Sequence, residues 1–192
     1  MAKQTFTNTT TSGVWTTLAT GECTIASLIT TATLVTTLVT LRVKLANGRV
    51  SYILPSNTLQ YNNPNRLAVG GLSLQAGDKL EAMSSDPVDW VTTAITGMSY
   101  KSSIVTSPDT KVWTTLVSGP ATVRGVFVST GGAGNVGIRL HKATVDASIV
   151  FSEKLDSGGS KRLMMPIVLA TGDSLQVSGN TRAFWIATGV SA

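Results

Sequence analysis

Cysteine is almost missing from this chain: Cys23 is the only one in 192 residues. No intramolecular disulfide can form, which excludes the stapled scaffolds of small secreted domains. Histidine is equally scarce, and His141 with that single thiol cannot assemble a typical zinc site. A Ser-His-Asp relay needs one specific histidine, an orienting acid and an activated serine. Nothing in the sequence around His141 supplies that set, and no G-x-S-x-G is present.

Charge is the next shortage. Asp, Glu, Lys and Arg make up 13% of the residues. The surface must therefore be mostly hydroxyls, glycine and apolar groups, and part of it is expected to be covered by other subunits. The net charge of +5 is uneven: residues 1–99 hold six Lys/Arg against five Asp/Glu, and residues 100–192 hold nine against five. That asymmetry favours an acidic partner surface for the second half. The basic residues are scattered, with only Lys161 and Arg162 adjacent. Nucleic acid needs a clustered stripe with stacking aromatics, so no nucleic-acid partner is expected. The start, Met1-Ala2-Lys3-Gln4-Thr5-Phe6-Thr7, has a lysine but no apolar segment, so no secretory signal is expected. The uncharged stretch from Ile25 to Leu41 holds six threonines. A spanning helix should be more apolar, so the stretch reads as strand and turn, with no membrane contact.

What is present is a repetition. Val14-Trp15-Thr16-Thr17-Leu18-Ala19-Thr20-Gly21 returns as Val112-Trp113-Thr114-Thr115-Leu116-Val117-Ser118-Gly119. Leu72 to Leu80 is echoed by Ile167 to Leu175, each with a Gly-Asp step, and Thr96-Gly97-Met98-Ser99 by Thr188-Gly189-Val190-Ser191. The chain is thus expected to be two copies of one module, residues 1–99 and 100–192. The Thr-rich arm Met1–Ser12 has a counterpart in Ile104–Thr110, with Phe6 matched to Ile104, so it belongs to the fold and reads as an edge strand.

The local patterns are those of sheets. Val39, Leu41, Val43 and Leu45 alternate with Thr40, Arg42 and Lys44, which predicts a strand with one wet face. Asn47-Gly48 is a two-residue hairpin signal, and Val50, Tyr52 and Leu54 alternate on the return until Pro55 ends it. Val136, Ile138 and Leu140 repeat the first strand, and Ala147 to Phe151 supplies the second return. Gln75-Ala76-Gly77-Asp78 and Ala170-Thr171-Gly172-Asp173 read as tight turns, with Asp bonding its own backbone. Nothing shows a sustained 3.6-residue period. The fold class is therefore all-β: two tandem homologous β-sandwich domains, Ig-like or jelly-roll-like, from an internal duplication.

Trp15 and Trp113, Trp90 and Phe184 are expected to be core anchors between sheets. The polar loop Gln60 to Asn65, with Tyr61, Asn62 and Asn63, is the candidate for ligand or partner contact. Gly132-Ala133-Gly134-Asn135-Val136-Gly137 fits G-x-G-x-x-G, but a dinucleotide site needs a helix to follow. Here a strand pattern follows, so the glycines read as a hairpin loop and no cofactor is expected. Asp78, Glu81, Asp86 and Asp89 lack the alternate spacing of a calcium loop, so no metal is expected.

Leu74-Gln75-Ala76-Gly77-Asp78-Lys79-Leu80 through Ser84-Ser85 to Val91, and its counterpart from Leu169 to Ser191, resembles the small β-sandwich structural proteins of tailed bacteriophages. That resemblance implies a non-enzymatic virion protein, made in the host cytoplasm, that covers and cements subunit seams as capsid decoration or as a neck or tail accessory. Its partners would be copies of itself and other virion proteins. Three copies would present six near-equivalent modules, suiting a trimer or hexamer. The alternative is a receptor- or carbohydrate-binding module of a tail fibre, which would need exposed aromatics such as Tyr52, Tyr61, Tyr100 or Trp90.

Overall fold

The computed structural model describes residues 2–61, 65–67, 70–96, 101–108, 110–143 and 148–191. The chain divides into two compact units, Met1–Ser99 and Tyr100–Ala192. All regular structure among the described residues is strand. The first unit contains β1 (Ala2–Thr10), β2 (Thr16–Thr20), β3 (Cys23–Ala32), β4 (Thr37–Lys44), β5 (Val50–Leu59), β6 (Asn65–Leu67), β7 (Leu72–Leu74), β8 (Lys79–Ser84) and β9 (Val88–Thr96). The second contains β10 (Lys101–Ser107), β11 (Thr114–Ser118), β12 (Ala121–Thr130), β13 (Gly134–His141), β14 (Ser148–Leu155), β15 (Ser160–Leu169), β16 (Ser174–Gly179) and β17 (Ala183–Val190).

Each unit has two antiparallel sheets. In the first unit they run β1-β9-β3-β6, with β7 also on β3, and β2-β8-β4-β5; in the second, β10-β17-β12-β15 and β11-β16-β13-β14. Counting β6 and β7 as one interrupted strand, both units read 1-8-3-6 and 2-7-4-5. Two interleaved Greek keys in eight strands make a jelly roll, so the strand order decides between the two sandwiches left open by the sequence. The repeat is structural as well as textual: Trp90 and Trp185 and the two Gly-Asp turns hold matched places, but Thr188 faces Gly125 where Thr93 faces Ser27, so Thr188 matches Thr93 and not Thr96.

The uncharged stretch forms β3 and β4 with a turn between them, as its threonines and β-branched residues predict. Along β4, Val39, Leu41 and Val43 are buried while Thr40, Arg42 and Lys44 face outward. Three expectations shift in detail. β5 runs on through Pro55 to Leu59, because β5 is the edge of its sheet and an edge strand tolerates the missing donor. Only Gly48 of the Asn47-Gly48 pair takes positive φ, at 84°. Leu45 N–H bonds Arg49 O and Asn47 Oδ1 accepts Arg49 N–H, a three-residue loop rather than a two-residue one. The Thr-rich arm is indeed the edge strand β1, but Thr7 faces Val91 where Ile104 faces Ile186, so Ile104 matches Thr7 and not Phe6. Ile104 is buried, whereas Phe6 and Thr7 are both exposed.

The two Gly-Asp turns behave alike. Asp78 Oδ2 accepts Gln75 N–H at 2.9 Å, and Asp173 Oδ2 accepts Ala170 N–H at 3.1 Å. Gly77 and Gly172 take φ of 83° and 86°. Their missing side chains also make room for a neighbouring loop: a Cβ on Gly77 would lie 2.9 Å from Ala46 Cβ, and one on Gly172 would lie 2.9 Å from Ala143 Cβ.

The cores are aliphatic, each with one indole. Trp90 is 1% exposed and Trp185 is fully buried. Trp90 Nε1 donates to Thr10 Oγ1 at 3.3 Å, and Trp185 Nε1 donates to Ser107 Oγ at 3.0 Å. Buried indoles need such a partner, and both modules supply it from the last residues of the first strand. Around Trp185 pack Val126, Val128, Ile138, Leu175 and Val177.

Candidate functional site

The expectation that Trp15 and Trp113 are core anchors is overturned. Both are only half-buried. Each precedes the short strand β2 or β11 and folds over the outer face of its sheet rather than between sheets. There the indole meets an arginine from the wet side of the central strand. Arg42 Cζ lies 3.6 Å from the Trp15 ring centroid, and Arg139 Cζ lies 4.6 Å from that of Trp113. A guanidinium over an indole face is attracted by the ring quadrupole. Trp90 is a core anchor. Phe184 is buried, but strand alternation puts it on the opposite side of β17 from Trp185, outside the core cluster, with Arg182 Cζ 5.3 Å from its ring. Trp185 takes the place assigned to it.

The neighbours of the two arginines differ. Arg42 faces Glu81 across β4 and β8 and forms a salt bridge, Nη2 to Oε2 at 2.8 Å. Tyr52, on the other side of Arg42 in the ladder, stands 6.5 Å from the Trp15 ring at a 51° tilt. Arg139 faces Gln176 instead, and its Nε donates to Gln176 Oε1 at 2.8 Å. The first module carries a neutralised charge pair on this face; in the second, no carboxylate among the described residues pairs with Arg139.

Beside Trp113 the second module has a cleft of about 340 Å³ whose lining includes Lys111, Asn135, Gly137, Ser152, Ser178 and Asn180. Gly137 faces Ser178 on one side and Ser152 on the other. A Cβ on Gly137 would stand 3.3 Å from Trp113 Cη2, so the glycine seats the ring edge. The G-x-G-x-x-G residues are therefore not simply a loop. Gly134 and Gly137 lie within β13, and a Cβ on Gly134 would meet Asn180 Oδ1 at 2.5 Å. Asn180 Oδ1 accepts Asn135 N–H at 2.6 Å and ties the cleft wall. Lys111 is the single non-glycine residue with positive φ, 57°, among the described residues.

A second feature lies at one end of the first module. Leu34, Val35 and Leu38 are 64%, 50% and 51% exposed, and Tyr61 is 55% exposed. Tyr61 bridges to Ala32, and its N–H points to Thr36 Oγ1 at 3.4 Å, so the β3–β4 turn and Tyr61 share that end. Asn62 and Asn63 lie outside the described residues. The matching β12–β13 turn in the second module is Gly131-Gly132-Ala133, without large apolar groups.

His141 ends β13 on its outer side and is exposed, opposite Ser174. Asp86 accepts from Thr37 and Ser85, and Asp89 from Thr9, so both serve turns and edges. Among the described residues no three of His, Cys, Asp and Glu converge as a metal site, and no helix is long and apolar enough to cross a membrane.

No family model matches the chain, and no curated protein matches it. Among solved structures it is similar to the tandem CBM22-1–CBM22-2 domain of Xyn10C from Paenibacillus barcinonensis, at 11% identity over 91% of this chain and 80% of that one, with a TM-score of 0.28. The major capsid protein P2 of bacteriophage PM2 matches at 8% identity over 98% of both chains, TM-score 0.42. A structure of infectious bursal disease virus matches at 12% identity over all of this chain and 40% of that one, TM-score 0.33. Likenesses this remote carry no inference about function, and the fold rests on the strand order itself.

Proposed function

We propose that the chain is a non-enzymatic structural protein of a bacteriophage virion, acting as capsid decoration or as a neck or tail accessory. The observation that carries this reading is the apolar tip of the first module, Leu34, Val35, Leu38 and Tyr61. Exposed apolar groups gathered at one end of a sparsely charged domain mark a contact with another protein. The edge strand β1 adds to it: nine residues whose outer backbone edge lies at the end of its sheet order. Such an edge can accept a strand from another subunit. The jelly roll recurs in viral capsid and lectin domains, and the Gly-Asp phrase resembles phage structural proteins. Both are analogies, while the exposed tip supplies the physical reason.

The partner of the tip is a second copy of the chain or a neighbouring virion protein, and the assembled unit is a trimer or hexamer. Sedimentation across a range of concentrations, with and without purified particles, tests this. A self-associating species that co-sediments with particles is expected, and replacing Leu34, Val35 and Leu38 with serine should release it. A strict monomer at high concentration with no affinity for particles would overturn the reading.

A further inference from the structure

We propose that the cleft beside Trp113 is a binding site for an acidic pyranose, a uronic or sialic acid residue of a surface glycan. The inference rests on how the two modules differ at ladder-matched positions, and it does not depend on the assembly reading.

In the first module Thr40 faces Met83; at the matched place in the second, Gly137 faces Ser178 beside the Trp113 ring edge. A threonine and a methionine are replaced by a glycine and a serine at one spot, which hollows the face into the cleft of about 340 Å³. Glu81 is replaced by Gln176, which removes the acid that neutralises the arginine. Gly13, with φ of 70° and its N–H on Ser84 O, is replaced by Lys111, with φ of 57° and its N–H on Gly179 O. The backbone at this place favours glycine, and the second module holds a lysine there against that preference. Strain of this kind gathers at ligand sites. All four differences point one way, from filled and neutral to hollow and cationic.

The chemistry of the lining fits a sugar. An indole offers an apolar face or edge to the C–H groups of a pyranose, and a few fixed polar groups give orientation. Among the described residues, none bonds the hydroxyls of Ser152 or Ser178, the ammonium of Lys111, or the side-chain amide of Asn135. No carboxylate is among the lining residues. Lys111 lines the cleft, Arg139 stacks on its Trp113, and Lys154 faces its Asn135 across β13 and β14. That field selects a carboxylate-bearing sugar over a neutral one.

The test uses the full chain with galacturonic acid and N-acetylneuraminic acid as probes and galactose as the neutral control. Saturation-transfer NMR reads binding, and the indole N–H resonances report which tryptophan is reached. At least one acidic probe should bind and shift Trp113, leave Trp15 unmoved, and bind about tenfold more tightly than galactose. Restoring the first module's residue with Ser178→Met should abolish binding while the melting transition stays in place. Gly137→Thr, which also pushes the Trp113 ring edge away, should abolish binding as well, and Lys111→Gly should erase the preference for acid over galactose. Three outcomes would overturn the proposal. They are no binding of either acidic probe at tens of millimolar, binding that survives Ser178→Met in a folded protein, and equal binding of galactose with Lys111→Gly inert.

Discussion

The Asp78 carboxylate reaches out of its own turn to accept the backbone N–H of Ala46, in the β4–β5 hairpin, at 3.0 Å. Its other oxygen holds Gln75 N–H, and its backbone carbonyl takes Gly21 N–H at 3.3 Å. One buried aspartate thus ties three loops at the same end of the module. Asp173 repeats the arrangement with Ala143, Ala170 and Gly119. Hydrogen bonds to a charged, buried acceptor are worth more than ordinary ones, and losing them strands two backbone donors. We predict that Asp78→Ala and Asp173→Ala each cost about 2–3 kcal/mol. Denaturant unfolding of the two variants checks this, and an effect below half a kilocalorie for either would show that water replaces the carboxylate without loss.

The adjoining glycines separate two causes of strain. Gly77 combines φ of 83° with a neighbour, Ala46 Cβ, only 2.9 Å from where its own Cβ would stand. Gly21 has φ of 84° and open space around it. Gly21→Ala therefore meets only the backbone penalty, about 1 kcal/mol, whereas Gly77→Ala must also push the β4–β5 loop away. Thermal melts should rank Gly77→Ala below Gly21→Ala, and equal melting points would contradict the close approach.

Much of this was legible beforehand. The duplication, the all-sheet class, the wet face of β4 and the Gly-Asp turns are written in spacings of a few residues, where periodicity and turn chemistry act locally. The assignment of the indoles was not. Trp15 and Trp113 occur in the clearest repeat, which suggests a core role, yet they cover an outer face; Trp90 and Trp185 fill the cores. An isolated aromatic carries no signal for which side of a sheet it covers, and an arginine opposite is visible only once the strands are paired. The cleft is hidden for the same reason. Gly137 and Ser178 are far apart in sequence and become neighbours only through the ladder of β13 and β16.

The tryptophans give a third prediction. Trp90→Ala removes a fully enclosed ring, so a loss of about 3–5 kcal/mol follows from cavity formation. Trp15→Ala removes a half-buried ring from an outer face and should cost much less, though it uncovers Arg42 and weakens its ion pair with Glu81. Unfolding curves for the two variants test the reassignment directly. Equal losses would restore Trp15 to the core.

Glu81 and Gln176 allow a fourth comparison. The Arg42–Glu81 pair is largely sheltered, with side chains 16% and 9% exposed. Breaking a sheltered pair leaves a charge behind, but the second module holds Arg139 with a neutral Gln176 at 2.8 Å. Glu81→Gln keeps the hydrogen bond and the stacking on Trp15, so its cost should stay near 1 kcal/mol or below. Glu81→Ala removes the acceptor altogether and should cost more. The order of the two variants in urea checks the point.

Cys23 supplies the last prediction. It is buried in β3 opposite Leu74, where the second module places Ala121 opposite Leu169. Burial pushes the thiol pKa up, because the apolar surroundings disfavour the thiolate. The thiolate is the reactive form, so alkylation of the native protein should be far slower than of the unfolded chain. The sign of the pH effect follows from the same shift. Below the ordinary thiol value of about 8.5, folded and unfolded chains both keep the proton and the full stability is present. As the pH rises past it, the unfolded chain releases the proton first, and stability falls until the folded thiol also ionises. Cys23→Ala, which copies the second module, should remove that alkaline decline and leave stability at neutral pH within about 1 kcal/mol of the original. Unfolding curves at neutral and alkaline pH, run on both proteins, would reveal a parallel decline if the thiol were not the group responsible.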